Sequence, residues 1–401
     1  MIPEEILRSL VVQNDSKLVM VVIDGLGGLP VRGKTELETA KMPNLDRLAS
    51  KSICGLIDPI SYGITPGSGP SHLALFGYDP FQYEIGRGVM EALGIGLTLT
   101  KDDLTARGNF ATIDENGVIL DRRAGRIPTE KNEEICQFLQ NEVREVDGVR
   151  VSIYPGKEHR FVIVFQGEGL RDELTDADPQ KDGLRVKGTD SLTPEAQRTA
   201  DIVNNYLKKV REVLKAFHPA NMVLLRGFSK VPDIPSMSER FKLRPAAIAT
   251  YPMYLGLARL VGMEVLKTGE RLKDEVETLK SHFDQYDFFY LHFKRTDSAG
   301  EDGDFKKKVR ALEEIDQVIP LILRLRPDVL VVTGDHSTPA LLRSHSWHPN
   351  PILLYSKYIR PDAVRRFTER DCQRGELNRF PAMAILPLML ANGLKLKKFG
   401  A

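Results

Sequence analysis

Cysteine is scarce in this chain, with three in 401 residues: Cys54, Cys136 and Cys372. Their odd number and wide spacing exclude a disulfide framework and a thiolate metal cluster, and they suit a reducing compartment. Neither sign of charge dominates, with 56 Lys+Arg against 55 Asp+Glu, so no global field favours nucleic acid or a membrane surface. No apolar run is long enough to span a bilayer; the longest late one, 382–391, contains Pro387. Glu4, Glu5 and Asp15 interrupt the amino-terminal stretch where a signal peptide needs an apolar centre. Internal repeats, low-complexity tracts and heptad seams are missing as well. These absences predict a soluble cytoplasmic protein, long enough for two or three domain-sized units with a substantial core.

What the chain does contain is a set of valine-rich runs that stop at a carboxylate or imidazole. Residues 18–23 end at Asp24-Gly25, 288–293 lead to Asp297, and 329–332 end near Asp335-His336, with His345 shortly after. Near-continuous apolar runs bounded by glycine and charge read as strands of a parallel sheet buried on both faces. Ligands of such sheets bind just beyond the carboxyl ends of the strands. Convergence of three strand ends there would gather Asp24, Asp297, Asp335, His336 and His345. A single aspartate at a strand end is most often a turn or cap residue, but a mixed oxygen and imidazole set suits hard-to-borderline divalent metals. His72, His282 and His292 read as structural histidines within apolar stretches.

A second constellation is Thr65-Pro66-Gly67-Ser68-Gly69-Pro70-Ser71-His72. Pro70 suits the first position of a helix. A helix starting there would aim free N–H groups and its positive dipole end at Ser68, favouring an alkoxide or a bound phosphate. The same residues could equally form a turn and helix cap.

Strand–helix alternation predicts an α/β core built from both ends of the chain, 1–84 and 232–401, with helices at 43–51 and 306–325. The middle, 85–231, reads as an inserted α+β domain. Its short strands fall at 108–113, 149–153 and 160–165, its helices at 130–146 and 194–217, and a polar loop spans 176–183.

These segments, together with 85–88, 91–96, 107–112, 121–126, 225–227, 251–263, 294–304, 333–336 and 345–351, resemble the archaeal-type cofactor-independent phosphoglycerate mutases of the alkaline phosphatase superfamily. The resemblance implies an alkaline-phosphatase-like core with a mostly parallel sheet flanked by helices. It also implies that Ser68 is the phosphoryl-accepting nucleophile in an interconversion of 2- and 3-phosphoglycerate through a phosphoserine. Two divalent metals and no bisphosphoglycerate would take part. Asp24, Ser68, Asp335 and His336 would hold one metal, and Asp297, His345 and the residue four after Asp297 the other. That residue, usually histidine in the family, is Glu301 here, and Asp302 is its alternative. A carboxylate there suits manganese or magnesium, with zinc or cobalt as softer alternatives. His345 matches the family ligand, with His348 as an adjacent alternate. The inserted domain would contact the phosphate and carboxylate of the substrate through Asp121, Arg122, Arg123, Arg126, Arg160 and Arg226, with Lys294 on the core side. Two rivals stand beside this reading. One is a metallophosphatase or other phosphotransferase with the same core, and the other a non-catalytic metal-binding protein, for which Glu301 is the sole support.

Overall fold

The computed structural model describes residues 3–400. Its strands, in chain order, are β1 (Leu18–Ile23), β2 (Ile53–Asp58), β3 (Asp103–Ile113), β4 (Ile119–Asp121), β5 (Glu145–Val146), β6 (Val149–Pro155), β7 (Arg160–Gln166), β8 (Met222–Lys230), β9 (Pro245–Ile248), β10 (Glu264–Val265), β11 (Phe288–Phe293), β12 (Val329–Thr333), β13 (Asn350–Ser356) and β14 (Asn378–Pro381). Two compact units contain them: Met1–Glu84 with Ile234–Ala401, and Ile85–Asp233.

The first unit is an α/β layer structure around an eight-stranded sheet of order β10-β9-β11-β1-β12-β13-β2-β14. Only β13 runs against its neighbours; the other pairings are parallel. Every residue of β1, β11 and β12 is buried, which is why these strands read as unbroken apolar runs rather than alternating ones. Val22 pairs with both His292 and Thr333, and Ile23 with Phe293, so the three carboxyl ends finish level. Helices Pro43–Ala49, Leu272–His282 and Phe305–Asp316 cover one face through Leu45, Leu48, Val276, Leu279, Leu312 and Ile315. The helix expected over 306–325 is two helices, Phe305–Asp316 and Ile319–Arg324. Pro320 causes the break, because it cannot donate to the preceding turn and is tolerated only at a helix start.

The second unit is α+β. In it β4, β3, β7, β6 and β5 form an antiparallel sheet with β8 also paired to β3. Helices Thr129–Glu142 and Gln197–Val213 pack on it through Ile135, Leu139, Ile202, Val203 and Tyr206. The first of these stops at Glu142 rather than near 146, because Asp147 (φ 51°) and Gly148 (φ 78°) make the two-residue turn joining β5 to β6. Paired positive φ angles at Asp-Gly are the type I′ hairpin signal.

Glu275, on the helix Leu272–His282, is 3% exposed with Oε2 unpartnered. Burial pushes its carboxyl up to about 8, against the pull of Arg295. The unfolded chain therefore releases this proton first as pH rises, and stability falls between about pH 4.5 and 8. Glu275→Gln is expected to exceed the native protein in stability by on the order of 1–3 kcal/mol at pH 8, and to match it at pH 4.5. Guanidinium unfolding at the two pH values measures the difference.

Candidate metal centre

Level strand ends place the chemistry. Asp24 follows β1, Asp335 and His336 follow β12, and Asp297 lies one turn into the helix Arg295–Glu301 that follows β11. Gly25 turns the chain sharply with φ 64°, and its N–H donates to Asp335 Oδ1 at 3.1 Å. A Cβ at Gly25 would come within 2.6 Å of Thr338 Oγ1 and 2.8 Å of the Asp297 backbone, so the close approach of these loops requires glycine.

Ser68 opens the eight-residue helix Ser68–Leu75, with Gly67 as its N-cap. The serine thus occupies the first helical position rather than preceding a helix that begins at Pro70. The first-turn N–H groups have no helical partner, so proline costs nothing at the third position either. Ser68 Oγ lies 3.3 Å from His336 Nε2. That nitrogen is 3.4 Å from Asp24 Oδ1 and 3.1 Å from Asp335 Oδ2.

Two hydrogen bonds fix the imidazole tautomers. Thr338 Oγ1 donates its single proton to Asp297 Oδ1 at 2.7 Å, so it accepts from His336 Nδ1 at 3.0 Å. The Pro66 carbonyl accepts from His345 Nδ1 at 3.0 Å. Both rings therefore turn an Nε2 lone pair inward, His345 toward Asp297 Oδ1 at 3.6 Å and Glu301 Oε1 at 3.9 Å. The two rings stack with centroids 3.6 Å apart. His348 instead bonds Ser346 and stacks on Trp347, and Asp302 pairs with Lys307.

This donor set fits divalent cations. Asp24, Asp297 and Asp335 are fully buried beside one another, and Lys294, 3.1 Å from Asp24 Oδ2 and 2.5 Å from Asp297 Oδ2, is the one lysine or arginine paired with them among the described residues. Asp24 Oδ1 and Asp335 Oδ2 have no hydrogen-bond partner. Lone pairs facing unpartnered carboxylate oxygens in a dry interior repel unless a cation lies among them. Burial, with the charges of Asp24 and Asp297 adding to it, raises the Asp335 carboxyl well above the usual range. Asp24 goes the other way: burial alone would raise it, but contact with His292 and the ammonium of Lys294 hold it low. Burial drives His336 down to about 3 despite Asp24, leaving it neutral as a ligand must be. Burial and Asp297 raise Glu301, with Lys294 and His345 opposing.

Three further residues belong to the site: Tyr254, to which the sequence assigns no role, and His72 and His292, which read as structural histidines but meet the site residues directly. Tyr254 Oη donates to Asp24 Oδ2 at 2.5 Å, and His292 Nε2 lies 3.3 Å from the same oxygen. His72 Nδ1 donates to the Ser68 carbonyl at 2.8 Å, one helical turn away. The 3.6-residue period was the available signal for His72, and the position of His292 in the last pair of residues of β11 was the signal for it.

In the second unit, cross-strand pairing collects cationic side chains. Arg107 on β3 is paired directly with Arg226 on β8, and Asn109, two residues on, with Arg160 on β7. Arg107, Asn109, Arg160 and Arg226 therefore share one face. Arg87, at the start of the helix Arg87–Gly94, adds to the mutual repulsion that lowers the proton affinity of Arg107 and Arg226 after burial. Glu91 pairs with Arg107 at 2.9 Å, while the Nε atoms of Arg107 and Arg226 are buried without partners. Arg122 is held by both oxygens of Asp178, and Asp121 caps the N–H groups of Arg123 and Gly125. Arg126 is exposed with φ 54°.

Comparison with known proteins decides the kinship. The family model for 2,3-bisphosphoglycerate-independent phosphoglycerate mutase matches residues 49–221. Proteins named probable 2,3-bisphosphoglycerate-independent phosphoglycerate mutase from Thermotoga neapolitana and Aquifex aeolicus are 52% and 51% identical to this chain. The alignments cover 99% of this chain in both cases, and 99% and 100% of those proteins. The chain belongs to the cofactor-independent phosphoglycerate mutase family. Among solved structures, the cofactor-independent phosphoglycerate mutase from Thermoplasma acidophilum superposes with a TM-score of 0.73 at 30% identity, over 94% of this chain and all of that one. A protein from Pyrococcus horikoshii superposes with a TM-score of 0.82 at 31% identity, over 97% and 100%. The mutase family model spans both Ser68 and the strands that carry Arg107 and Arg160.

Proposed function

We propose that this chain interconverts 2-phosphoglycerate and 3-phosphoglycerate through a phosphoserine at Ser68, with no bisphosphoglycerate. In this reading two divalent ions, manganese or magnesium, are held by Asp24, Ser68, Asp335 and His336, and by Asp297, Glu301 and His345. The observation that carries it is Ser68 Oγ at a helix amino terminus, 3.3 Å from the His336 lone pair among buried carboxylates. Bound metals would lower the serine pKa and offset charge on the transferring phosphoryl group.

The chain's own groups do the rest. Free N–H groups at the start of Ser68–Leu75 receive phosphoryl oxygens. His72 holds the Ser68 backbone, and Tyr254 and His292 fix the Asp24 carboxylate so that one oxygen stays free. Residues 85–231 form the substrate-binding domain in this reading. A doubly anionic substrate would relieve the repulsion among Arg87, Arg107, Arg160 and Arg226, giving the orphaned guanidinium nitrogens acceptors. Glycerate must stay bound between the two transfers while water is excluded, which separates a mutase from a phosphatase. The deciding experiment is turnover of 3-phosphoglycerate with added manganese and no bisphosphoglycerate. Mutase product is expected; release of inorganic phosphate without isomerisation would instead make the chain a metallophosphatase.

Glu301 provides a separate check. Its carboxylate faces His345 Nε2 at 3.9 Å, so Glu301→Ala is expected to weaken metal binding and cut turnover roughly 10–100-fold, the scale seen even for outer ligands. Glu301→His should shift preference toward zinc or cobalt, since imidazole is softer than carboxylate. Calorimetric metal titration beside mutase assays measures both. Unchanged affinity and rate in Glu301→Ala would remove Glu301 from the ligand set.

A further inference from the structure

A cavity of about 550 Å³ opens in the first unit at the end of the sheet opposite the metal centre. Residues that precede β2 and β12 (Lys51, and Arg326 to Asp328) and one that follows the antiparallel β13 (Lys357) meet there. Four cationic side chains line it, Arg47, Lys51, Arg326 and Lys357, against one acid, Asp328. Lys357 lies 3.7 Å from Asp328; the other three have no ion pair or side-chain hydrogen bond among the described residues. The floor is apolar and aromatic, built from Leu48, Pro320, Leu323, Pro327 and Tyr355.

Helix ends do not account for this charge. The helices Pro43–Ala49 and Ile319–Arg324 end at the cavity, and cations commonly sit at such ends to satisfy carbonyls. Here most of the end carbonyls are already served without these cations: Ser50 N to Asp46, the Ser50 hydroxyl to Arg47, Lys51 N to Leu48, Ser52 N to Ala49, Leu325 N to Ile322 and Arg326 N to Leu323. Three unpaired cations converge on one concavity instead, in a chain whose charges otherwise balance at 56 to 55. A cationic rim over an apolar floor matches a ligand with a phosphate end and a flat, weakly polar body. The volume falls in the range of small-molecule sites. We infer that the cavity lined by Arg47, Lys51, Arg326 and Tyr355 binds a nucleoside phosphate. The rim holds the phosphates, and Tyr355 with the two prolines receives the base. The site is separate from the metal centre by at least the length of the central strands, about 17 Å for five residues.

The test is calorimetric titration of the metal-loaded protein with adenosine 5′-diphosphate, in excess magnesium and with saturating phosphoglycerate to fill the metal centre. One site per chain is expected. Arg47→Ser with Lys51→Ser should weaken it at least tenfold while mutase turnover stays unchanged, since both residues are exposed and remote from Ser68. Tyr355→Ala should weaken the nucleotide but not inorganic pyrophosphate, which engages the rim alone. If metal-centre chemistry proved different, binding here and its loss in the variants would stand unaffected. The inference is overturned if no heat beyond dilution appears at millimolar nucleotide. It is equally overturned if the double variant binds as the native chain does, or if phosphoglycerate competes the nucleotide away one for one.

Discussion

Ser68→Ala is expected to abolish turnover and phosphoenzyme together, a loss of roughly 10⁴-fold or more on the scale of covalent nucleophile deletions. Ser71→Ala is expected to leave a phosphorylatable protein. The two serines sit in the same helix but face different partners. Ser68 Oγ points to His336 Nε2 at 3.3 Å, whereas Ser71 Oγ donates back to the carbonyls of Gly67 and Ser68, both at 3.0 Å. Ser71 is fully buried and already satisfied, so it has neither access nor an activating neighbour. Peptide mapping of acid-quenched phosphoenzyme assigns the modified serine. Because Ser68 is also a proposed metal ligand, the metal content of Ser68→Ala should be measured alongside. Phosphate found on Ser71 alone would overturn the assignment.

The parallel strands at the centre of the first unit were legible because burial on both faces leaves an unmistakable composition. The runs ending at Ile23, Phe293 and Thr333 needed no context to be read as interior strands. The residues after them then followed from the rule that such sheets bind ligands at their carboxyl ends. Residues whose role depends on a neighbour's register were not legible. Arg107 reads as one arginine on a strand until β8 pairs it with Arg226, and no property of either strand alone announces that register. Tyr254 and His292 were hidden for a related reason. An aromatic residue in an apolar segment is compatible with simple core packing, and only the fold shows that both meet the same carboxylate oxygen. Helix ends are less legible where two local signals compete, as at Pro320 and at Asp147-Gly148, where a turn interrupts a continuing helical pattern. Lysine 294 occupies the middle ground: its position three residues before Asp297 was visible, but its bridging of Asp24 and Asp297 required the two strands side by side.

Exhaustive chelation is expected to lower turnover roughly a thousandfold or more, since metal-ion catalysis contributes several kcal/mol, with manganese restoring it. The pH dependence of the stability change carries more information than the rate. Without metal, burial and the charges of Asp24 and Asp297 make the Asp335 carboxyl hold its proton to higher pH than a free carboxyl does. A carboxyl with a folded-state pKa above its unfolded value lets stability fall as pH rises from the unfolded value through the folded one. Metal must displace that proton to bind, so each rise in pH within that window weakens the metal-free protein and strengthens metal affinity. His336, already neutral above about pH 3 in the folded protein, gives up no proton to the metal above that value. Its own effect, a rise in stability between about pH 3 and 6.5, is shared by the metal-loaded and metal-free protein and cancels in their difference. The gap in Tm between metal-loaded and metal-free protein is therefore expected to widen as pH rises above the ordinary carboxylate value of about 4, with net proton release on metal binding shown by titrations in buffers of different ionisation enthalpy. Asp335→Asn should bind metal more weakly and lose most of the pH dependence, because the amide has no proton to give up. A Tm gap that stayed constant across this range, with full turnover after chelation, would remove both the metal and Asp335 from the chemistry of Ser68.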